Sequence, residues 1–226
     1  GDGVSRHSAS ALQLAGQFQL ASCIMHGCVP LSDRHFTVSD VFGPYLYKLD
    51  QQPIVPLFDQ LTGGKQWRHL QHGPTGRPLP VTSLALARPL GSEPDEQQLV
   101  TRLMTGVLPD DTAVMLFEAD LSKGQQVMLM RRDPVLMMQS AHDNTKRLLA
   151  QIKEAGQHGK LALYFDCGGR MSAISGSDGE EAEIVRDLCT AAGIPFLAIY
   201  TGVEIAPLQG TSYGLDWSGV LVILTQ

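Results

Sequence analysis

The sequence predicts an α/β or α+β fold, a mixed β-sheet with helices packed on it, and three observations carry that reading. Apolar runs such as Phe196 to Tyr200 and Val220 to Leu224 have the length of buried strands, about five residues, where a bilayer-crossing helix needs about 20. Between Val135 and Ala155, the residues Met138, Ala141, Thr145, Leu148, Leu149 and Ile152 recur at a spacing that places them on one helical face. A strand at Leu161 to Phe165, a helix at Glu180 to Ala192 and a strand at Phe196 to Thr201 follow at the spacing of a βαβ crossover.

From the start of the chain, Gln17 to Met25 reads as a strand, broken by Gly27, Pro30, Ser32 and Asp33. His35 to Val41 and Tyr45 to Leu49 read as two more. Pro53 opens a short helix through Leu61, with Ile54, Leu57, Phe58 and Leu61 on one face and Gly63-Gly64 stopping it. The Gly, Pro, His and Arg content from Lys65 to Pro80 predicts a long connector or mobile loop. Val81 to Ala87 reads as a strand. Asp95 to Met104 reads as a helix, because Leu99, Val100, Leu103 and Met104 fit helical spacing. Ala113 to Glu118, a hairpin-like turn at Lys123-Gly124 and a returning strand at Gln126 to Arg131 come next. Methionines 115, 128, 130, 137 and 138 are expected to fill a core. After the long helix and its Gly156 stop, the crossover leads through Gly193-Ile194-Pro195 into Phe196, and Val220 to Thr225 closes the chain.

Of the 226 residues, 43% are hydrophobic and 18% charged, which fits a chain with a core and excludes a disordered tail. The 17 Lys and Arg against 23 Asp and Glu give a net charge of −6. No basic run exceeds Arg131-Arg132, so nucleic acid is not an expected partner. The start at Gly1-Asp2-Gly3 lacks the order of a signal peptide, so the expected location is cytoplasmic, without membrane insertion. Four cysteines are too few and too scattered for a disulfide-built fold. Cys23, His26 and Cys28 look like half a zinc site with no second half, so neither a metal nor any other cofactor is expected.

The most informative local sequence is Tyr164-Phe165-Asp166-Cys167-Gly168-Gly169-Arg170. A buried strand here delivers a carboxylate, a thiol, two glycines and a guanidinium to its carboxyl end, where open sheets bind ligands. Gly168 and Gly169 let backbone amides approach a small ligand, and Arg170 offers a fork for a carboxylate. The alternative gives the glycines a tight turn and Arg170 an ion pair with Asp166 or Glu180. No G-x-G-x-x-G or Walker pattern marks a nucleotide site. Cys167 is a candidate nucleophile if Arg170 lowers its pKa, but no histidine is placed beside it by spacing, and a structural or ligand-lining thiol is favoured. Glu204, between small and apolar residues, can receive a ligand ammonium, act as a base raised by burial, or pair with Arg170. His26-Gly27-Cys28-Val29-Pro30 reads first as a shaped turn, and Trp217 as a packing residue or an aromatic at a pocket rim.

Several of these segments together resemble a known family. Phe165-Asp166-Cys167-Gly168-Gly169-Arg170, then Glu180-Glu181, Gly193-Ile194-Pro195 and Tyr200-Thr201-Gly202-Val203-Glu204-Ile205-Ala206-Pro207 resemble the C-terminal part of the FIST sensory domain. That pattern is F-x-C-x-x-R, an acidic pair, G-x-P and Y-x-x-G-E-I-x-P, in this order. His26 to Leu31, Phe36-Thr37-Val38, and Tyr47 to Asp50 followed by Pro53 resemble the end of its N-terminal part. The resemblance implies residues 1–80 as a remnant of the N-terminal part with a linker and 81–226 as a FIST C-terminal-like domain. In two places the chain departs: the glycine before Glu204 is shifted by one to Gly202, and Leu215-Asp216-Trp217 stands where an aromatic-His-Asn is expected. Ligand identity is therefore not carried over from that second motif.

The resemblance implies a small-molecule-binding sensory input domain of signal transduction, amino acids being the proposed ligand class, without catalytic turnover. Cys167, Gly168, Gly169, Arg170, Glu204 and Trp217 are the expected ligand-binding residues, and no residue is assigned as catalytic. The expected partners are the ligand and a signalling output domain or protein, with homodimerisation left open. The competing readings are an interaction scaffold with a degenerate pocket and an enzyme using Cys167 or Glu204.

Overall fold

The computed structural model describes residues 13, 15–69, 82–91 and 95–226. Its strands are β1 (Gln19–Met25), β2 (Val29–Phe42), β3 (Tyr45–Leu49), β4 (Gln52–Pro53), β5 (Leu84–Pro89), β6 (Leu99–Val107), β7 (Val114–Leu116), β8 (Gln126–Arg131), β9 (Gly159–Cys167), β10 (Phe196–Thr201), β11 (Glu204–Leu208), β12 (Thr211–Leu215) and β13 (Gly219–Thr225). The helices are α1 (Ile54–Thr62), α2 (Pro134–Glu154), α3 (Ser172–Ser175) and α4 (Glu181–Ala191). The expected α+β class, with mixed sheets and packed helices, is what the chain adopts.

One sheet has four strands in the order β1-β13-β9-β10. β9 and β10 are parallel, joined through α4 as the expected βαβ crossover, and the other pairings are antiparallel. Helices α2 and α4 pack on one face, where Cys23, Met25, Ala141, Leu148, Ala162, Tyr164, Val185 and Leu221 share a core. Asp133 starts α2: its carboxylate accepts the N–H groups of Val135 at 3.0 Å and Leu136 at 3.1 Å, and Pro134 gives up no needed donor at the first helical position.

The second sheet runs β2-β8-β5-β6-β7-β3-β4, and a further β2–β3 pairing closes it into a small barrel. Its interior is filled by Phe36, Val38, Leu46, Leu49, Leu86, Met104 and Leu129, with Ile54, Phe58 and Trp67 of the α1 region plugging it. The barrel's outer wall meets α2 through Cys28, Ala85, Ala87, Met128, Met130 and Met137, with Met138 half-buried against them, so four of the five noted methionines are fillers between layers. A ribbon of β11 and β12 lies over Ile24, Val100 and Val220. No helix among the described residues is long and apolar enough to cross a membrane.

Several expectations are corrected. Residues 99–104 are strand β6, not helix: all six are buried, so the strand is covered on both faces and shows no alternation, and only Glu96 to Gln98 form a helical turn, capped by Asp95. Strand β2 runs through Pro30, Ser32 and Asp33, and the interruption read there is a register shift between Pro30 and His35. Lys123-Gly124 does not join a hairpin, because β8 pairs with β2 and β5 and not with β7. Asp166 to Arg170 is the end of β9 followed by a single tight turn, as the turn reading of Gly168-Gly169 has it. Of the expected connector, residues 70–80 lie outside the described residues, as does Val81; Trp67 in its first part is buried against Phe58.

Candidate functional site

β9 and β10 being parallel, their carboxyl ends lie side by side, Cys167 pairing with Thr201. The two loops singled out in the sequence therefore leave from the same end of the sheet. After Cys167 the turn Gly168-Gly169-Arg170 sends the arginine inward, where it is fully buried. Its Nη1 donates to the carbonyl oxygens of His26 at 3.0 Å and Trp217 at 2.9 Å, its Nη2 donates to Glu181, and its Nε lies 3.2 Å from Asp166 Oδ1. Tyr164 Oη also donates to Glu181. Burial works against the Arg170 charge, but Glu181, Tyr164 and Asp166 outweigh it and hold the guanidinium pKa above its ordinary range. One cation serves two carboxylates. Burial and the Glu181 charge accordingly push Asp166 up to about 8. Of the three side chains weighed as partners for Arg170, Asp166 lies within ion-pair distance; Glu181 takes the place given to Glu180, which instead accepts from Ser172 and Tyr200.

Glu204, at the start of β11, is 2% exposed and makes no bond to Arg170, so of the three roles weighed for it the Arg170 pair is not formed. Its Oε1 accepts from Thr201 Oγ1 at 2.6 Å, while Oε2 is buried without a partner, and burial pushes its pKa up to about 7. At Cys167 burial, the largest effect, and the Glu204 charge outweigh the lowering by Arg170 and lift the thiol to about 11, which agrees with the favoured reading of a structural or ligand-lining thiol over a nucleophile.

His26 and Cys28 are buried, so neither offers the exposed portion considered from sequence. His26 Nδ1 accepts the Cys28 N–H at 3.0 Å, and burial lowers the pKa of the ring. Glu96 accepts the N–H of Gly27 at 2.7 Å and the Ser140 hydroxyl at 2.6 Å; burial opposes its ionisation, but His26 and these donors prevail and hold it at about 2. This cluster ties the end of β1 to α2, and the His26 carbonyl passes the tie to Arg170.

Between β12 and β13 the chain turns through Asp216 and Trp217. Trp217 has φ 57°, a left-handed conformation rare for a bulky side chain, and its ring lies under Arg132 at 4.3 Å and Arg170 at 6.0 Å. Asp216 Oδ2 accepts the Leu103 N–H at 3.0 Å, its carbonyl accepts from Thr101 Oγ1, and Oδ1 is buried without a partner. Burial raises the Asp216 pKa to about 6.

Against this turn lies a cavity of about 240 Å³. Leu103, Phe117, Ile174 and Trp217 supply its apolar lining, Cys167, Gly169 and Gly202 come from the two strand-end loops, and Thr105 and Asp216 add polar groups. Thus Cys167, Gly169 and Trp217 of the expected site line one cavity, whereas Gly168, Arg170 and Glu204 do not line it. At Gly169 a Cβ would stand 3.2 Å from the Trp217 ring, so a side chain there would crowd the indole. Leu103, Thr105, Phe117 and Ile174 were missed by sequence reasoning. Leu103, Thr105 and Phe117 come from the distant barrel, Ile174 from the short helix α3 just after Arg170, and no local motif marks any of them. Asp216 carried one signal, its place in the departing Leu215-Asp216-Trp217 motif. Among the described residues no group of three or more His, Cys, Asp and Glu side chains is gathered that could hold a metal ion.

The fold is that of a mixed α+β protein with a small, partly open cavity at the carboxyl ends of a parallel strand pair. Residues 66–207 match the FIST C domain, and the chain belongs to that family. The N-terminal FIST part, which residues 26–53 resemble, is not detected. Comparison with curated proteins and with solved structures matches nothing. Family membership supports a general sensory, signalling role.

Proposed function

We propose that this chain is a cytoplasmic small-molecule-binding sensory input domain that binds without turnover, its ligand seated in the cavity beside Cys167, Gly169 and Trp217. The observation that carries this reading is the cavity itself, where the apolar side chains of Leu103, Phe117, Ile174 and Trp217 stand beside the polar residues Thr105 and Asp216. In this reading Gly168, Arg170 and Glu204 act one step back. Arg170 fixes the His26 and Trp217 carbonyls, Gly168 lets the chain turn past the Thr201 carbonyl, and Glu204 holds Thr201. The amino-acid class follows from the family resemblance. A thiol raised to about 11 is protonated at neutral pH, which supports binding over nucleophilic chemistry at Cys167. The signal leaves through an output domain or protein partner. Because Trp217 touches both the cavity and Arg170, ligand contact there reaches the buried ion network and both strand ends.

A thermal-shift screen with amino acids, amines and small carboxylates tests this, since a ligand of the native state raises the melting temperature. Gly202→Leu is the matching control: Gly202 lines the cavity and a Cβ there meets nothing within 4 Å, so the variant should fold and lose the shift. A ligand whose shift survives Gly202→Leu binds elsewhere and defeats the assignment.

A further inference from the structure

We propose that the open edge of β10 docks a second copy of this chain, the two β10 strands pairing antiparallel about a twofold axis at Ala198 and joining two four-stranded sheets into one of eight. The sheet β1-β13-β9-β10 has two edges, and they are finished differently. The β1 edge is closed by the helical turn before β6: the Ile24 N–H donates to Gln97 Oε1 at 2.7 Å, the Ile24 carbonyl accepts from Gln97 Nε2, and the His26 N–H donates to Glu96. At β10 the phase of the parallel ladder is set by the Ala162 N–H, which donates to the Pro195 carbonyl at 2.8 Å. Leu197, Ile199 and Thr201 therefore turn their backbone groups to β9, and Phe196, Ala198 and Tyr200 turn theirs outward. Among the described residues no strand or side chain bonds these outward N–H and C=O groups. Such a row is a template for another strand.

The edge carries none of the devices that keep edges apart. No Asp, Glu, Lys or Arg occurs in residues 188–203, no bulge interrupts the β9–β10 register, and Pro195 stands before the strand and not in it. The repulsion between two chains of net charge −6 therefore does not fall on this strand. Of the twelve large hydrophobic side chains exposed among the described residues, five lie in residues 197–205, with Leu197 59% and Ile199 48% exposed. That concentration marks an interaction surface.

The strand is also complementary to itself. With Ala198 opposite Ala198 of the second copy, and Phe196 opposite Tyr200, every outward N–H and C=O of the strand gains a partner. On the helix-covered face the opposed side chains are aromatic against aromatic, with the small Ala198 at the axis; on the other face Leu197 meets Ile199 of the second copy. Cross-strand pairs of these kinds stabilise a sheet, and a slip by one residue would set the covered face of one copy against the bare face of the other. Because the β1 edge is closed, the assembly ends at two copies. β10 leads directly into Gly202, which lines the cavity, so interface and cavity share one strand end.

Sedimentation equilibrium of the whole chain over a range of concentrations should show the 24.5 kDa monomer in equilibrium with a species of twice that mass. Leu197→Lys/Ile199→Lys sets like charges against each other across the axis and should weaken the dimer at least tenfold. Leu197→Lys/Ile199→Glu sets opposite charges there, twice, and should dimerise at least tenfold more tightly than the first variant. Both positions are exposed, so neither change disturbs a core. Hydrogen exchange reads the same edge without substitution: the amides of Phe196, Ala198 and Tyr200 should slow at least tenfold as the parent chain is concentrated through its dimerisation range. A parent chain that stays monomeric, a dimer unaffected by Leu197→Lys/Ile199→Lys, equal affinities of the two variants, or amide exchange at β10 that ignores concentration overturns the proposal.

Discussion

Arg170 shows why a guanidinium at a strand end is not by itself a ligand fork. Its donors face two carboxylates and two carbonyls inside the protein, and a ligand carboxylate could reach it only by displacing Glu181 or Asp166. Glu204 has the opposite problem, a carboxylate in a buried place without a cation bonded to it. Its pKa is pushed from the ordinary 4.5 to about 7, first by burial, against the Thr201 hydrogen bond and the Arg170 charge, with Asp216 adding to the rise. Between those two values the unfolded chain has released the proton while the folded chain keeps it, so stability falls as pH rises from about 4.5 to about 7. Asp216, raised from 3.8 to about 6, and Asp166, raised from 3.8 to about 8, act with the same sign, while His26, lowered from 6.5 by burial, acts with the opposite sign below that value and equally in parent and variant. Carboxylates held low, such as Glu96 at about 2, lose their contribution only in acid and leave this window clear. Urea denaturation across pH 5 to 8 should show the decline, and Glu204→Gln should flatten it by about 3 kcal/mol, an order-of-magnitude figure from the size of the shift. A parent and variant with parallel pH profiles would refute the buried, protonated Glu204.

At the scale of elements, the close approach of the β1 end to helix α2 is the most constrained contact beside the site. Gly27 has φ 62°, a Cβ on it would overlap the backbone of Met137, and its N–H is bonded to Glu96. Gly27→Ala should cost about 3 kcal/mol in urea denaturation, combining backbone strain with a helix that must move. A change below about 0.5 kcal/mol would mean that α2 does not sit so close. The sequence marked this glycine only as part of a turn, because the helix it touches is more than a hundred residues away. What was legible follows the same rule. Helices α2 and α4 and strands β3, β8 and β10 have one covered face or a short apolar run between breakers, and they stand where periodicity placed them. Strand β6 is covered on both faces, and its apolar pairs at 99–100 and 103–104 mimic a helix. The ribbon of β11 and β12 turns at Gln209 and Gly210, both with positive φ, and a one-faced ribbon of five-residue strands gives little pattern. Of the cavity lining, Cys167, Gly169 and Trp217 carry local signals, strand ends and a lone aromatic, whereas Leu103 and Phe117 arrive through the barrel, whose closure no local pattern encodes.

For the whole molecule, the first third of the chain belongs to both sheets. β1 lies in register along β13 from Gln19 opposite Thr225 to Met25 opposite Gly219, while β2 pairs with β8 and with β3 to close the barrel. A division into units 1–80 and 81–226 is a proposal that the family resemblance motivates, and pairing across that boundary sets what it would cost. A polypeptide of residues 82–226 loses β1 to β4 and α1, and with them Phe36, Val38, Leu46, Leu49, Ile54 and Phe58, all fully buried in the intact chain. The barrel then opens at β7 and β8, and β13 becomes an edge with unpaired N–H and C=O groups, a template for aggregation. The cavity is affected as well, because Leu103, Thr105 and Phe117 reach it from β6 and the start of the β7–β8 connection, which the closed barrel positions. Residues 82–226 should therefore be recovered largely insoluble or melt well below the intact chain, with a broadened transition in calorimetry. Adding residues 15–69 in trans should restore a sharp transition if the two sheets need those strands and nothing else. Equal cooperative melting of the shorter and the intact chain would show instead that the C-terminal part folds alone and that the first strands only dock on it.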